Sequence, residues 1–180
     1  MRTAPALAVT ALAAALLLTA CGDDGGSGSE KDDTKTSQGS TACKIDEVAV
    51  EVGPANAAPA AGDTGSVPVT ITNSGAACTL DGLPTVDLSA GDTSKNVPAD
   101  PAADSSQKLT LAKDQALSFT ITYVRGESGG AKSLAAKTGK FSLPGATATH
   151  GFTWSYGDVA FKSGGSELDA SVSGFQQVGD

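Results

Sequence analysis

The sequence predicts an all-β domain, an antiparallel β-sandwich, placed behind a secretory leader and a polar spacer. Three observations predict it. From position 42 onward, apolar and polar residues alternate with period two in short runs, most clearly over 116–124. Gly, Pro, Asn and Asp cluster between those runs as turn signals. No apolar pattern with the helical period survives beyond the leader. Seven or more short strands separated by turns imply packed antiparallel sheets rather than a parallel α/β sheet.

The first twenty residues follow the secretory plan, with Arg2 as the positive end and an apolar run over 6–18 broken only by Thr10. A spanning helix needs about 20 consecutive apolar residues, so this run is short for one. The flank that follows, Gly22-Asp23-Asp24, is acidic, unlike a stop-transfer signal. Leu18-Thr19-Ala20-Cys21 reads as a bacterial lipobox. Cleavage before Cys21 and diacylglycerol on its sulfur would anchor the chain at the outer face of the cytoplasmic membrane. Each buried methylene contributes about 0.8 kcal/mol, so one acyl chain holds weakly and two hold firmly.

Residues 21–41 form the lipidated cysteine and its spacer. Positions 22–41 carry Gly, Ser, Asp, Glu, Lys and Thr, with no large apolar side chain. With nothing to bury, the spacer is expected to be disordered, with a coil reach of roughly 25 Å. Asp23, Asp24, Asp32 and Asp33 lack the spacing and central glycine of a calcium loop, so they read as solvated charge.

Loss of Arg2 with the leader leaves 11 basic against 20 acidic side chains, a net charge of −9. Such a surface repels nucleic acid and anionic lipid, so the membrane is expected to be met through the lipid alone. About 140 residues remain from 42 to 180, enough for one domain with its own core.

Within 42–180, a strand is expected over 44–52, with Ile45, Val48, Val50 and Val52 inward. Residues 54–65 read as an Ala/Pro/Gly loop. Val67, Val69 and Ile71 alternate with Thr70 and Thr72 in a second strand. Pro68 lacks a ladder donor, so that strand should begin there or lie at an edge. Asn73-Ser74-Gly75 is a turn. A strand over 85–89 places Val86 and Leu88 inward, and a weaker one holds Val97. Leu109 and Leu111 mark a strand ending at the Lys113-Asp114 turn. Over 116–124, Leu117, Phe119, Ile121 and Tyr123 share the inward face. Residues 125–139 read as a glycine-rich loop with at most one helical turn near Leu134. Strands over 140–143, 152–156, 159–161 and 168–175 complete the set.

With Cys21 taken by lipid, Cys43 and Cys78 remain as a pair in an oxidising compartment, which predicts a disulfide. Metal or redox chemistry is opposed by the absence of Cys-x-x-Cys and by a single histidine. No cofactor is implied.

Cys43, Ala60-Ala61-Gly62, Thr72-Asn73-Ser74-Gly75, Cys78-Thr79-Leu80, Gly82-Leu83-Pro84 and the Leu109-x-Leu111 pair recur in this order in one family. The chain resembles the actinobacterial lipoproteins catalogued as domain of unknown function 4232. The resemblance is best over 43–88 and covers most of 42–180. It implies an immunoglobulin-like β-sandwich, secretion and a lipid anchor, and brings no catalytic residues. Family members usually carry a second cysteine pair near the C-terminus, which this chain lacks.

Three features could carry chemistry. Gly126-Glu127-Ser128-Gly129-Gly130 fits a nucleophilic-serine template, making Ser128 the residue of an alternative reading as a secreted hydrolase. Such a serine needs a histidine base. The only histidine, His150, follows it in the chain, and the alternating β and α elements of a hydrolase elbow are missing. His150 itself reads as a hydrogen-bonded residue at a strand start. Phe152, Trp154 and Tyr156 alternate, so all three project from one face. Outward, they form a stacking platform for sugar rings or a partner; inward, they pack against Phe119, Ile121 and Tyr123. A chain this poor in aromatics favours the inward reading. The expected function is therefore a non-enzymatic binding or scaffolding module. Its loops over 54–65, 91–106 and 125–139 would meet an envelope protein or small ligand.

Overall fold

The computed structural model describes residues 41–163 and 165–178. The predicted leader, Cys21 and all of the spacer except Thr41 lie outside the described residues. No helix among the described residues is long and apolar enough to cross a membrane.

The chain forms β1 (Val48–Val52), β2 (Thr64–Asn73), β3 (Cys78–Asp81), β4 (Thr85–Ala90), β5 (Thr93–Val97), β6 (Lys108–Leu111) and β7 (Ala116–Val124). The two-residue β8 (Ser133–Leu134) follows, then β9 (Thr138–Ser142), β10 (His150–Thr153), β11 (Val159–Ala160), β12 (Ala170–Val172) and β13 (Gln176–Gln177). One sheet runs β1-β2-β7-β12, with β13 also on β7; the other runs β10-β9-β4-β5. Every pairing between these strands is antiparallel. The two-stranded ribbons β3-β6 and β8-β11 complete an all-β, sandwich-like fold.

The core lies between the two larger sheets. β7 alternates as its sequence predicts: Leu117, Phe119, Ile121 and Tyr123 are buried, and the residues between them are not. Across the interface, Phe119 meets Phe141 of β9 edge-on at 5.3 Å, and Phe175 at 5.7 Å. Edge-to-face pairs of this kind add about 0.5–1.5 kcal/mol beyond the area they bury. Val67, Val69 and Ile71 of β2, and Val86 and Leu88 of β4, supply the aliphatic remainder.

Pro68 departs from expectation, because β2 starts four residues earlier and lies between β1 and β7. The proline faces Thr120, whose N–H and C=O are both turned to Ser173 on the far side. Its nitrogen therefore points toward β1, where β1 has just ended. Gly53 N–H donates to the Pro68 carbonyl at 2.8 Å, and no return donor is needed. A central strand tolerates proline where a neighbour stops.

Other boundaries shift for local reasons. Residues Ile45–Glu47 make a 3-10 turn before β1, with Lys44 Nζ on Glu47 Oε1 at 2.9 Å holding the Lys44 ammonium pKa above its ordinary value. The segment 125–139, read as a loop with at most one helical turn near Leu134, holds the short strand β8 there, because Ser133 and Leu134 pair with Ala160 and Val159. Of the strand expected over 168–175 only β12 forms, with β13 following it: Ser173 turns its hydroxyl onto Thr120 N–H at 2.9 Å and breaks the ladder between them.

Asn73 closes β2 and is buried to 1 % exposure. Its amide donates to the carbonyls of Ala76 at 2.8 Å and Leu111 at 3.0 Å, and its Oδ1 accepts from Gly75 N–H at 2.9 Å. One side chain thus shapes the turn and ties it to the end of β6. Asn73→Ala leaves two carbonyls and one N–H without partners, which costs about 2 kcal/mol. Urea denaturation should show a lower midpoint at an unchanged slope.

Candidate functional site

β7 carries its inward parity one step past its end, to Arg125. The guanidinium donates through Nη1 to the carbonyls of Ala58 at 2.7 Å and Pro59 at 3.1 Å. The Arg125 backbone is held as well: its N–H donates to Asp63 C=O, and its C=O accepts from Gly62 N–H, both at 2.8 Å. Loop 54–65 is therefore fastened to the end of β7 by one residue. Tyr123, fully buried, adds a second tie by accepting from Ala58 N–H at 3.2 Å and donating to Tyr156 C=O at 2.7 Å.

Loop 125–139 is fixed from the other side. Asp158, 8 % exposed, accepts Gly129 N–H on Oδ2 at 2.8 Å, and its backbone carbonyl accepts Gly126 N–H at 2.8 Å. A side chain at Gly126 would run into Ser133 at 2.4 Å, so glycine lets this loop fold back onto β8. At Gly157 the backbone has φ +93, and a side chain there would meet Arg125 Nε at 3.0 Å. The guanidinium lies against this glycine.

Together these elements frame an open groove of about 610 Å³ with Arg125, Glu127 and Lys132 as its charged groups and Val124, Ala160 and Phe161 as apolar ones. Its size is that of a small-ligand or short-peptide site, and its walls are fixed by backbone hydrogen bonds before anything binds. A smaller niche of about 190 Å³ adjoins it, where Ser128, Arg125 and Asp158 meet.

Two of the three expected loops, 54–65 and 125–139, thus come together. The third does not join them as a loop: residues 93–97 form β5, and Ala99 bridges to Val172. Farther along, Ser106 donates its hydroxyl and N–H to Asp104, which holds that carboxyl below its ordinary pKa.

Ser128 and His150 are not brought together. Ser128 is exposed beside Gly157 and Asp158, whereas the His150 ring lies against Phe141, 5.6 Å between centroids. Strand rise alone sets His150 about 13 Å from Trp154, whose indole donates to Gly157 C=O. The glycines around Ser128 are explained by packing on Ser133 and by the bond to Asp158. Among the described residues, no group of three or more His, Cys, Asp or Glu could hold a metal ion.

Phe152, Trp154 and Tyr156 face inward, the alternative their scarcity favours, and not outward as a platform. Trp154 is 2 % exposed, edge-on to Tyr123 at 5.1 Å and to Tyr156 at 5.0 Å. Phe152 lies across Gly139, where a side chain would collide with its ring at 2.2 Å, and both Phe152 and Tyr156 pack against the core. Only parts of two rings remain accessible.

Cys43 and Cys78 are joined, with their Cα atoms 4.9 Å apart. The bridge ties Cys43 to the start of β3. Thr41 C=O accepts from Thr79 N–H at 2.9 Å, and Cys43 N–H donates to Thr79 C=O at 3.0 Å. Residues 41–43 thereby line up beside β3.

The family model described as Domain of unknown function (DUF4232) matches residues 43–176. The chain belongs to this family. The match opens on the first bridged cysteine and closes in β13, so it spans both sheets and the groove. No curated protein and no solved structure matches the chain.

Proposed function

We propose that this DUF4232 protein is an extracytoplasmic lipoprotein of actinobacterial type, anchored by diacylglycerol on Cys21. Its domain acts as a non-enzymatic binding or scaffolding module of the cell envelope. The groove between loops 54–65 and 125–139 receives an envelope protein or a small ligand. The observation that carries the reading is the preformed concave surface between the two loops, with Arg125 fastening loop 54–65 to the end of β7 and Asp158 fixing loop 125–139. The Cys43–Cys78 bridge supports an oxidising compartment, and the leader with its lipobox supports the anchor. The acidic net charge opposes nucleic acid as a partner.

The test places a photo-crosslinking amino acid at Lys132, in the groove, or at Lys113, in the turn before β7. Illumination of producing cells should give a discrete adduct from position 132 and none from 113. Equal patterns from both positions would count against the groove. Mass spectrometry of the same protein should show the diacylglycerol mass on Cys21. Labelling of Ser128 by a fluorophosphonate probe would replace the binding reading with a hydrolase.

A further inference from the structure

The free edge of β1 points to an interaction surface unrelated to the groove. β1 is the outer strand of its sheet, paired on one side with β2 in the register Ala49↔Thr72 and Glu51↔Thr70. Glu47 C=O accepts from Ser74 N–H, and Gly53 N–H donates to Pro68 C=O. Odd-numbered residues therefore turn their backbone groups toward β2. By the alternation of an antiparallel ladder, Val48, Val50 and Val52 turn theirs to the open side.

The other edges of the two larger sheets are blunted. β5 carries Lys95 turned over the Phe161 ring at 5.8 Å. The edge at β12 is covered, because Val172 bonds to both Pro98 and Asp100, and it is broken before β13 by Ser173. β10 is four residues long and holds Gly151. An inward lysine, a covering segment and a short strand are devices that keep edges from pairing. Five-residue β1 has none of them among the described residues: no lysine, no proline and no bulge.

We propose that β1 pairs with β1 of a second copy, antiparallel about a two-fold axis at Val50. That register sets Val50 opposite Val50 and Val48 opposite Val52, so every outward N–H meets an outward C=O, about six bonds in all. It also sets Glu51, the strand's one charge, opposite the partner's Ala49, so no like charges face each other directly. A self-complementary strand is what an isologous dimer requires. The paired edges join two sheets into one. So short a ladder is weak between free molecules and gains from confinement of both copies to one membrane, the anchoring proposed above.

The test uses the full chain as Ala49→Cys and Glu51→Cys variants. These positions are directly opposed across the axis, in the closely spaced kind of pair that a disulfide can bridge. Under mild oxidation, a mixture of the two variants should give a cross-linked dimer at least several-fold above either variant alone. Adding Val50→Pro to both removes one outward N–H without touching the β2 ladder and should abolish that excess. The proposal is overturned if the mixture cross-links no better than the single variants while the Cys43–Cys78 bridge and cooperative unfolding are intact. Running it both on membranes and on concentrated purified chain separates the two ideas. Pairing in the second needs no anchor, and the anchor is read independently from the mass on Cys21.

Discussion

Replacing Cys43 and Cys78 together by serine is expected to lower the unfolding free energy by about 2–5 kcal/mol. The bridge spans a sequence separation of 35, for which loop-closure entropy alone gives roughly 4 kcal/mol. Both cysteines are buried, at 2 % and 3 % exposure, so the serines also bring two hydroxyls into an apolar setting. The bridge holds residues 41–43 beside β3, and β3 meets the rest of the chain chiefly through β6. That corner should loosen first. The single tryptophan, buried Trp154, reports global unfolding by fluorescence. The midpoint should fall by about 10 °C for a domain of this size. Reduction of the native chain should lower the midpoint in the same direction but by less, because the freed thiols do not carry the cost of buried hydroxyls. A loss under 1 kcal/mol would mean that the β3 corner is held by its hydrogen bonds alone.

How much of this was legible in the sequence depends on how many faces each strand buries. β7 and β2 bury one face in a regular period, and Leu117 to Tyr123 and Val67 to Ile71 lie where their alternation puts them. β3 was not anticipated. Cys78, Thr79 and Leu80 are all buried in succession, so its four residues show no alternation to read. β5 is polar along most of its length and is a strand because β4 templates it, through Ser89↔Ser94 and Leu88↔Lys95. The 3-10 turn and β8 are too short to carry any period. Asn73 was visible only as a turn residue, although its amide also ties β2 to β6.

The site was half legible. Loops 54–65 and 125–139 were marked by their small residues and glycines, but nothing local says that they meet. Arg125 joins them, and its signal was present: a cation at the inward parity that runs through Phe119, Ile121 and Tyr123. An inward arginine one step beyond an apolar strand must satisfy its donors at the strand's end, and the carbonyls of Ala58 and Pro59 do so. Asp158 gave no such signal, because its role depends on the fold of a loop far from it in sequence.

Trp154→Ala is expected to cost about 3–5 kcal/mol, the range for deleting a buried large aromatic side chain. The indole is enclosed by Tyr123 and Tyr156, and its Nε1 donates to Gly157 C=O at 2.7 Å. Its loss opens a cavity in the core and frees the Gly157 carbonyl. Gly157 is the residue against which the Arg125 guanidinium lies, so the damage reaches the groove. Trp154→Phe keeps most of the bulk, loses the one donor, and should cost about 1–2 kcal/mol. Both variants lack the fluorescent reporter, so unfolding is followed by circular dichroism in urea. The series separates core from platform: a stacking platform would lose a ligand in both variants at unchanged stability. With the ring enclosed, stability should fall steeply for alanine and mildly for phenylalanine. Crosslinking from position 132 should fade with alanine and persist with phenylalanine, because the groove depends on the ring as a support.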